Sequence, residues 1–428
     1  MRFVRLWGHF VMMGMRAHAA WELNISNTIL GSRRRLFVLG LLTIPIIVGG
    51  IAFADQVGEA LPKILGGKTA YSPAFYTPTI FLASILIGLV AGLITGCIGA
   101  GGGFIIAPAL MSAGVKGILA VGTDLFHIFA KAIMGSVIHR KLGNISVSLA
   151  IVFLIGSIGG ATLGGVINRW LYQVNPVLSD AFITTIYVLM LGFLGLYALI
   201  DFIRARKTSP GEEIHGARVE GADMGSFPQR LQSIRIPPMV TFDQGLVPGG
   251  RQISSWFLIL SGAVVGLAAA IMGVGGGFLT FPIFVYVLGV SSMTTVGTDI
   301  FQIIFTAGYG AISQYAIFGF IFYTLAMGML LGSLLGIQVG AMVTKTVAGI
   351  TIRGFYAVAV LSGFLNRVFA LPGKLRDMEI ISISKHAAIV LEKIGMIVFF
   401  VVLGVFAIWV IAIFLINLRA LKGEEARA

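Results

Sequence analysis

Apolar runs of about 20 residues fill most of this chain, and runs of glycine interrupt two of them. About 20 apolar residues are needed to cross the hydrocarbon of a bilayer as a helix, so the runs predict an all-α polytopic membrane protein. The interruptions are Gly99–Phe104 (GAGGGF) and Gly273–Phe278 (GVGGGF). Irregular backbone at membrane depth is tolerated only inside protein or along a wet cavity. The two interruptions therefore constrain the fold more than any other feature.

The interruptions form a matched pair. Each is followed by a proline, Pro108 or Pro282, and later by Gly-Thr-Asp, at 122–124 or 297–299. Further glycines recur four residues apart in both halves, which is the spacing of closely packed membrane helices: Gly156, Gly160 and Gly164 align with Gly332, Gly336 and Gly340. Matched breaks in two halves indicate the substrate site of a secondary transporter. The pattern predicts two pseudo-symmetric repeats with broken or half helices.

The repeats divide the chain into five parts. Residues 1–77 predict an amphipathic segment, an extra transmembrane helix and a polar connection. Residues 78–204 and 254–371 form the first and second transport repeats, and 205–253 predict a soluble, solvated loop between them. Residues 372–428 predict an interfacial segment, an extra C-terminal transmembrane helix and a basic tail.

Composition supports a membrane protein and explains the basic charge. Only 11% of residues are charged, against about 25% in soluble domains, and the formal net charge is +13. Lys and Arg cluster at the ends of apolar segments, where the positive-inside rule accounts for them without nucleic acid as a partner. Five crossings per repeat would make the repeats inverted, whereas re-entrant segments after the glycines would make them parallel. The single cysteine, Cys97, excludes an intrachain disulfide and a thiol–metal cluster.

At this point the two repeated stretches identify a family resemblance. The first reads GLVAGLITGCIGAGGGFIIAPAL followed by GTDLF, and the second reads GAVVGLAAAIMGVGGGFLTFPIF followed by GTDIF. This doubled pattern resembles the sulfite exporter TauE/SafE family of membrane permeases. The resemblance implies export or uptake of small, often sulfur-containing anions, such as sulfite or organosulfonates, across the inner (plasma) membrane. It covers both repeats and assigns no role to the remaining segments.

The glycine interruptions are the first candidates for substrate binding. A helix that begins after each triplet would present free backbone N–H groups and a positive dipole end to an anion. The alternative is that the glycines only permit close helix packing. The predicted binding residues at the two breaks are Gly101, Gly102, Gly103 and Phe104, and Gly275, Gly276, Gly277 and Phe278.

The Gly-Thr-Asp motifs supply the second set of candidates. Thr123 and Asp124 in the first half and Thr298 and Asp299 in the second either contact substrate or cap a broken helix. His127 and Lys131 share a helical face with Asp124. They are expected to bind the anion, to relay a proton, or simply to neutralise the carboxylate. Gln302 replaces His127 in the second half, whereas Gln314, Gln338, Asn366 and Arg367 are interpreted as packing or segment-end residues.

These features predict a secondary transporter that moves a small anion by alternating access around a midplane site. No Gly-Lys-Ser/Thr sequence follows either triplet, and no His-Glu-x-x-His spacing occurs. We therefore expect no enzyme activity, no cofactor and no bound metal. The expected partners are the anion, the lipid bilayer and a coupling proton or cation, with homo-oligomerisation left open. An anion channel is one alternative function, and a non-transporting scaffold or intramembrane enzyme is another.

Overall fold

The computed structural model describes residues 62–67, 78–98, 102–141, 146–208, 226–243, 249–343, 347 and 349–425. The amphipathic segment and the first apolar run, both predicted within residues 1–61, lie outside this part of the chain, as does Gly101.

The first half of the described chain contains five consecutive helices, of which the second is short. They are α1 (Pro78–Ile98), α2 (Gly103–Ser112), α3 (Gly117–Lys141), α4 (Val147–Val174) and α5 (Pro176–Thr208). A short 3₁₀ turn, Lys63–Leu65, precedes them.

The second half repeats this order after a small linker. The linker holds helix α6 (Ser226–Ser233) and the antiparallel strands β1 (Met239–Phe242) and β2 (Arg251–Ser254). The helices that follow are α7 (Ser255–Met272), α8 (Gly277–Pro282), α9 (Ser292–Tyr309), α10 (Tyr323–Val343), α11 (Gly349–Asp377) and α12 (Lys385–Glu425). Two π-helical segments, Ile283–Leu288 and Gly310–Ala316, extend α8 and α9.

Seven of the described helices are long and apolar enough to cross a membrane: α1, α4, α5, α7, α10, α11 and α12. Helix α2 has only 10 residues, so it is too short to span alone. The prediction of an all-α polytopic membrane protein is confirmed.

Two segments are more regular than the sequence suggested. The linker was expected to be a solvated loop, but residues 226–233 are helical and a hairpin follows them. The hairpin is anchored because Asp243 accepts hydrogen bonds from the backbone N–H and the hydroxyl of Ser291, the N-cap of α9. The charged stretch 372–393, expected at the interface, is helical at both ends, since α11 continues to Asp377 and α12 begins at Lys385.

Glycine-mediated contacts join the two halves crosswise. Helix α4 packs on α7, where a Cβ at Gly156 or Gly160 would overlap the backbone carbonyl oxygens of Ile259 or Ala263. Such backbone approach is possible only without a side chain. The helices therefore touch main chain to main chain along this seam.

The same contacts recur between α10 and α1. A Cβ at Gly332 or Gly336 would overlap the carbonyl oxygens of Ile85 or Leu89, which occupy the positions aligned with Ile259 and Ala263. The first helix of each half thus packs on the fourth helix of the other half. Two repeats related by a two-fold axis would produce this pair of matching contacts. The repeats and their inversion remain predictions.

The seam predicts opposite outcomes for two neighbouring glycines. Gly160→Leu should lower the free energy of unfolding by about 1–3 kcal/mol or more, because the side chain must displace backbone. Gly159→Leu is the matched control, since a Cβ there meets nothing within 4 Å. Thermal unfolding in detergent, followed by size-exclusion chromatography, compares them. Equal midpoints for the two variants would contradict the seam.

Candidate functional site

The described residues show a complete break at the second predicted interruption and the start of a new helix at the first. Helix α1 ends at Ile98 and α2 begins at Gly103. Helix α7 ends at Met272 and α8 begins at Gly277. In the second break Gly273, Gly275 and Gly276 have φ angles of 79°, 67° and 91°. These left-handed conformations are strained for residues with a side chain, so glycine is required for the turn.

The two breaks lie against each other in the interior. A Cβ built on Gly103 would be 3.1 Å from the Cα of Val274 in the other break. The side chain of Ile128, on α3, lies between them: its methyl groups would be 2.8 Å and 2.7 Å from Cβ atoms at Gly103 and Gly275. The glycines therefore have the packing role of the alternative interpretation, whereas substrate binding at these glycines remains a prediction. They break the helices, and they let the two breaks come into contact.

Side chains satisfy the carbonyl groups that the second break frees. Asn168 donates to the carbonyl oxygen of Ile271 at 3.1 Å, and Tyr315 donates to that of Ala270 at 2.6 Å. Tyr187 donates to the carbonyl oxygen of Met272. Because unsatisfied backbone is expensive away from water, these three side chains stabilise an interrupted helix at depth. No periodicity in the sequence pointed to them.

Lys131 brings a positive charge to the first break. Its side chain is 9% exposed, and its Nζ donates to the hydroxyl oxygen of Thr95 at 3.3 Å. The same oxygen accepts a hydrogen bond of 2.9 Å from the backbone N–H of Gly102, the N-cap of α2. Asp124 is the carboxylate in the electrostatic surroundings of Lys131, but among the described residues no carboxylate forms an ion pair with Lys131. The ammonium group thus has N–H groups without an acceptor among the described residues, and it lies beside the start of a half helix.

Asp124 and His127 form a fully buried pair on the same helix. The Nδ1 atom of His127 is 3.6 Å from the Oδ1 atom of Asp124, and its Nε2 atom is 2.9 Å from the hydroxyl oxygen of Ser333 on α10. Neither carboxylate oxygen of Asp124 makes a hydrogen bond of standard geometry, although the backbone of Ala107 lies close enough to interact with the carboxylate. The Nδ1 atom of His127 also has no hydrogen-bond partner. Buried polar groups are nearly always hydrogen-bonded, so this pair is an exception that calls for an explanation.

In the second half, a continuous series of hydrogen bonds joins the corresponding groups. Gln302 donates to Asp299 at 3.0 Å, Thr306 donates to Gln302 at 2.7 Å, and the hydroxyls of Thr306 and Ser157 are 2.7 Å apart. The Oδ2 atom of Asp299 would lie 3.1 Å from a Cβ at Gly277, the first residue of α8. A carboxylate of the protein itself therefore occupies the position beside the second half helix.

Thr123 and Thr298 bind backbone of the opposite half. The hydroxyl of Thr123 accepts a hydrogen bond of 2.9 Å from the N–H of Phe322, just before α10. The hydroxyl of Thr298 accepts one of 3.0 Å from the N–H of Ser146, the N-cap of α4. Both threonines thus bind backbone at the start of a full-length helix of the other half, and not at the start of a broken helix as the capping alternative had it.

The aromatic residue after the first triplet packs rather than lining open space. The ring of Phe104 is 1% exposed and meets Tyr356 of α11 edge-on, with ring centroids 5.6 Å apart. The side chain of Phe278 lies outside the described atoms. Sequence reasoning missed Thr95, whose only signal was a lone hydroxyl two turns before the triplet, and Ser333. No group of three or more metal-binding side chains occurs among the described residues.

Several membrane transport proteins are similar in sequence to this chain. The family model described as Sulfite exporter TauE/SafE matches residues 84–366, about two thirds of the chain. The chain is 26% identical over 265 residues to the probable membrane transporter protein YjnA of Bacillus subtilis, covering 60% of this chain and 87% of that one. It is 23% identical over 294 residues to a probable membrane transporter protein of Xylella fastidiosa, covering 68% and 90%.

A plant relative matches over a shorter stretch. Sulfite exporter TauE/SafE family protein 6 of Arabidopsis thaliana is 35% identical over 79 residues, 18% of each chain. No solved structure matches.

The capping threonines give a stability prediction. Thr298→Val keeps the side-chain shape but removes the acceptor for the N–H of Ser146. We expect a loss of about 1–3 kcal/mol in the free energy of unfolding. Thr184→Val is the matched control, because the buried Thr184 hydroxyl has no partner and its removal should be neutral or stabilising. Thermal midpoints in detergent measure both; a Thr298→Val protein as stable as Thr184→Val would refute the capping role.

Proposed function

Because this chain belongs to the sulfite exporter TauE/SafE family, we propose that it is a secondary transporter of a small, sulfur-containing oxyanion such as sulfite or an organosulfonate. The observation that carries the proposal is the buried ammonium group of Lys131 beside the broken start of α2. Asp124 is the carboxylate in the electrostatic surroundings of Lys131, but it makes no ion pair with the ammonium group, and a buried cation without a direct ion pair is costly in a membrane segment. An anionic substrate would offset that cost while it is bound.

The anion is proposed to bind at the first break. Lys131 supplies the charge, Thr95 positions the ammonium group, and Gly102 and Gly103 keep side chains away from the start of α2. The positive end of the α2 dipole adds to the attraction. Gly275 and Val274 close the site from the opposite half, so that a shift between the halves would open it. This geometry supports alternating access.

The second break is proposed to have a different role. Asp299 already places a negative charge beside Gly277, so an anion there would be repelled. The two breaks therefore share one anion site instead of holding one each. Gly276 and Gln302 stabilise the second break and its carboxylate without contacting the substrate.

The buried pair of Asp124 and His127 is proposed to hold the coupling proton. The carboxylate of Asp124 and the Nδ1 atom of His127 lack the hydrogen bonds that a purely structural pair would make, and both residues lie on the helix that carries Lys131. A proton taken up by this pair would compensate the charge of the anion during a transport cycle.

The substrate class and the role of Lys131 are tested together. Thermal shift of the purified protein with sulfite, thiosulfate, methanesulfonate, sulfate and acetate should show the largest stabilisation by a sulfur oxyanion. In proteoliposomes, saturable counterflow of that anion is expected. Lys131→Gln should raise KM about tenfold or more, because a hydrogen bond from a charged group contributes about 1.5–3 kcal/mol.

Lys116→Gln is the matched control, since Lys116 lies before α3, next to Tyr172, and should leave KM unchanged. Stabilisation by none of the anions would refute the substrate class. Flux that does not saturate, without counterflow, would favour a channel.

The coupling proposal predicts a separable defect. Asp124→Asn should retain counterflow but lose acceleration by an imposed pH gradient. Asp201→Asn removes an exposed carboxylate that pairs with Arg353 and should respond as the wild type does. A pH-gradient response in Asp124→Asn equal to that of the wild type would disprove proton binding by the pair.

A further inference from the structure

A second buried cation lies at the far end of the first half helix. The side chain of Arg367, on α11, is 2% exposed and is the largest of the fully buried side chains. Its Nε donates to Asn366 at 2.7 Å, and its Nη2 donates to the hydroxyl oxygen of Ser112 at 2.7 Å. Ser112 is the last residue of α2. The guanidinium group is therefore held by neutral partners.

No carboxylate of the described chain pairs with Arg367. The acidic groups in its electrostatic surroundings are the phenol of Tyr187 and the carboxylates of Glu392 and Asp180, and neither carboxylate forms an ion pair with it. Asp180 is already engaged, by the backbone N–H of Gly117 at 2.8 Å and by Lys374 at 3.4 Å. Glu392 lies on the exposed side of α12. The third nitrogen, Nη1, donates to no residue that the structure describes.

The guanidinium group of Arg367 is buried and forms no ion pair with a carboxylate of the described chain. Burial of a cation away from water costs free energy unless an opposite charge accompanies it. The planar fork of arginine matches the two oxygens of a carboxylate, sulfonate or sulfite. Interaction with the C-terminal end of α2 offsets part of the cost, but it uses Nη2 and leaves Nη1 available.

We propose that Arg367, with Ser112 and Asn366, forms a second binding site for a free oxyanion, at the opposite end of α2 from Lys131. The proposal rests on the proposed function and extends it. Ser112 lies nine residue steps after Gly103 along α2, or about 14 Å at 1.5 Å per residue. The half helix thus joins two cationic positions, and an anion leaving one can enter the other. Several sites of moderate strength favour passage over trapping.

Isothermal titration with methanesulfonate counts the sites. The wild-type protein in zwitterionic nanodiscs should bind two anions per chain, and Arg367→Gln should bind one. Arg353→Gln is the matched control on the same helix, because Arg353 is exposed and pairs with Asp201, and it should bind two. Nanodiscs with anionic lipid should leave the count unchanged; a fall to one there would mean that a lipid headgroup occupies the site.

A second measurement leaves Arg367 in place. Ser112→Cys should react quickly with a negatively charged methanethiosulfonate reagent, because a neighbouring arginine favours the thiolate. Methanesulfonate should slow that reaction at least threefold. The wild type, whose single Cys97 is buried, gives the background rate.

The outcomes separate the two proposals. No anion binding by the wild type would refute the proposed function and this site together. Two anions bound by Arg367→Gln, or a thiol reaction of Ser112→Cys that is absent or insensitive to methanesulfonate, would overturn the Arg367 site alone. Loss of folding in Arg367→Gln leaves the Ser112→Cys experiment to decide.

Discussion

The contact between the two helix interruptions is the constraint on which the rest of this structure depends. Gly103 lies against the backbone of Val274, and the side chain of Ile128 fills the space between Gly103 and Gly275. This approach requires glycine at both breaks and requires the surrounding helices to be held close. The crosswise glycine seams, α4 on α7 and α10 on α1, bring the halves together at that distance.

The freed backbone groups explain why the breaks survive. Asn168, Tyr315 and Tyr187 take up the carbonyl groups at the end of α7, and Thr95 takes up the N–H of Gly102. With those groups satisfied inside the protein, an interrupted helix is tolerable at membrane depth. The interrupted backbone therefore does not carry the free-energy cost of unsatisfied polar groups.

The two halves share a framework but differ in charge. In the first, Lys131 and the pair of Asp124 and His127 keep unused hydrogen-bonding groups. In the second, Thr306 and Gln302 replace the basic residues, and Asp299 completes a closed network. The proposed function needs one anion site between the breaks that both halves can cover from opposite sides. The difference between the halves is consistent with that requirement.

Sequence reasoning predicted much of the fold because membrane thickness, glycine spacing and turn residues act locally. The ends of α1 and α7 and the start of α2 agree with the predicted segments. The linker hairpin and the extended ends of α11 and α12 were missed, because they depend on contacts such as Asp243 with Ser291 that no local pattern encodes. The site was predicted only in part for the same reason. Gly103, Asp124 and Lys131 carry motif or charge signals, whereas Thr95, Asn168 and Arg367 gain their roles from partners distant in sequence.

The most direct test of the proposed anion site at the first break is an experimental structure of the protein in lipid nanodiscs with saturating sulfite or methanesulfonate. The account predicts an oxyanion about 3 Å from Nζ of Lys131, beside Gly102 and Gly103, with both helices interrupted. An anion bound away from both breaks, or continuous helices through residues 98–103 and 272–277, would contradict it.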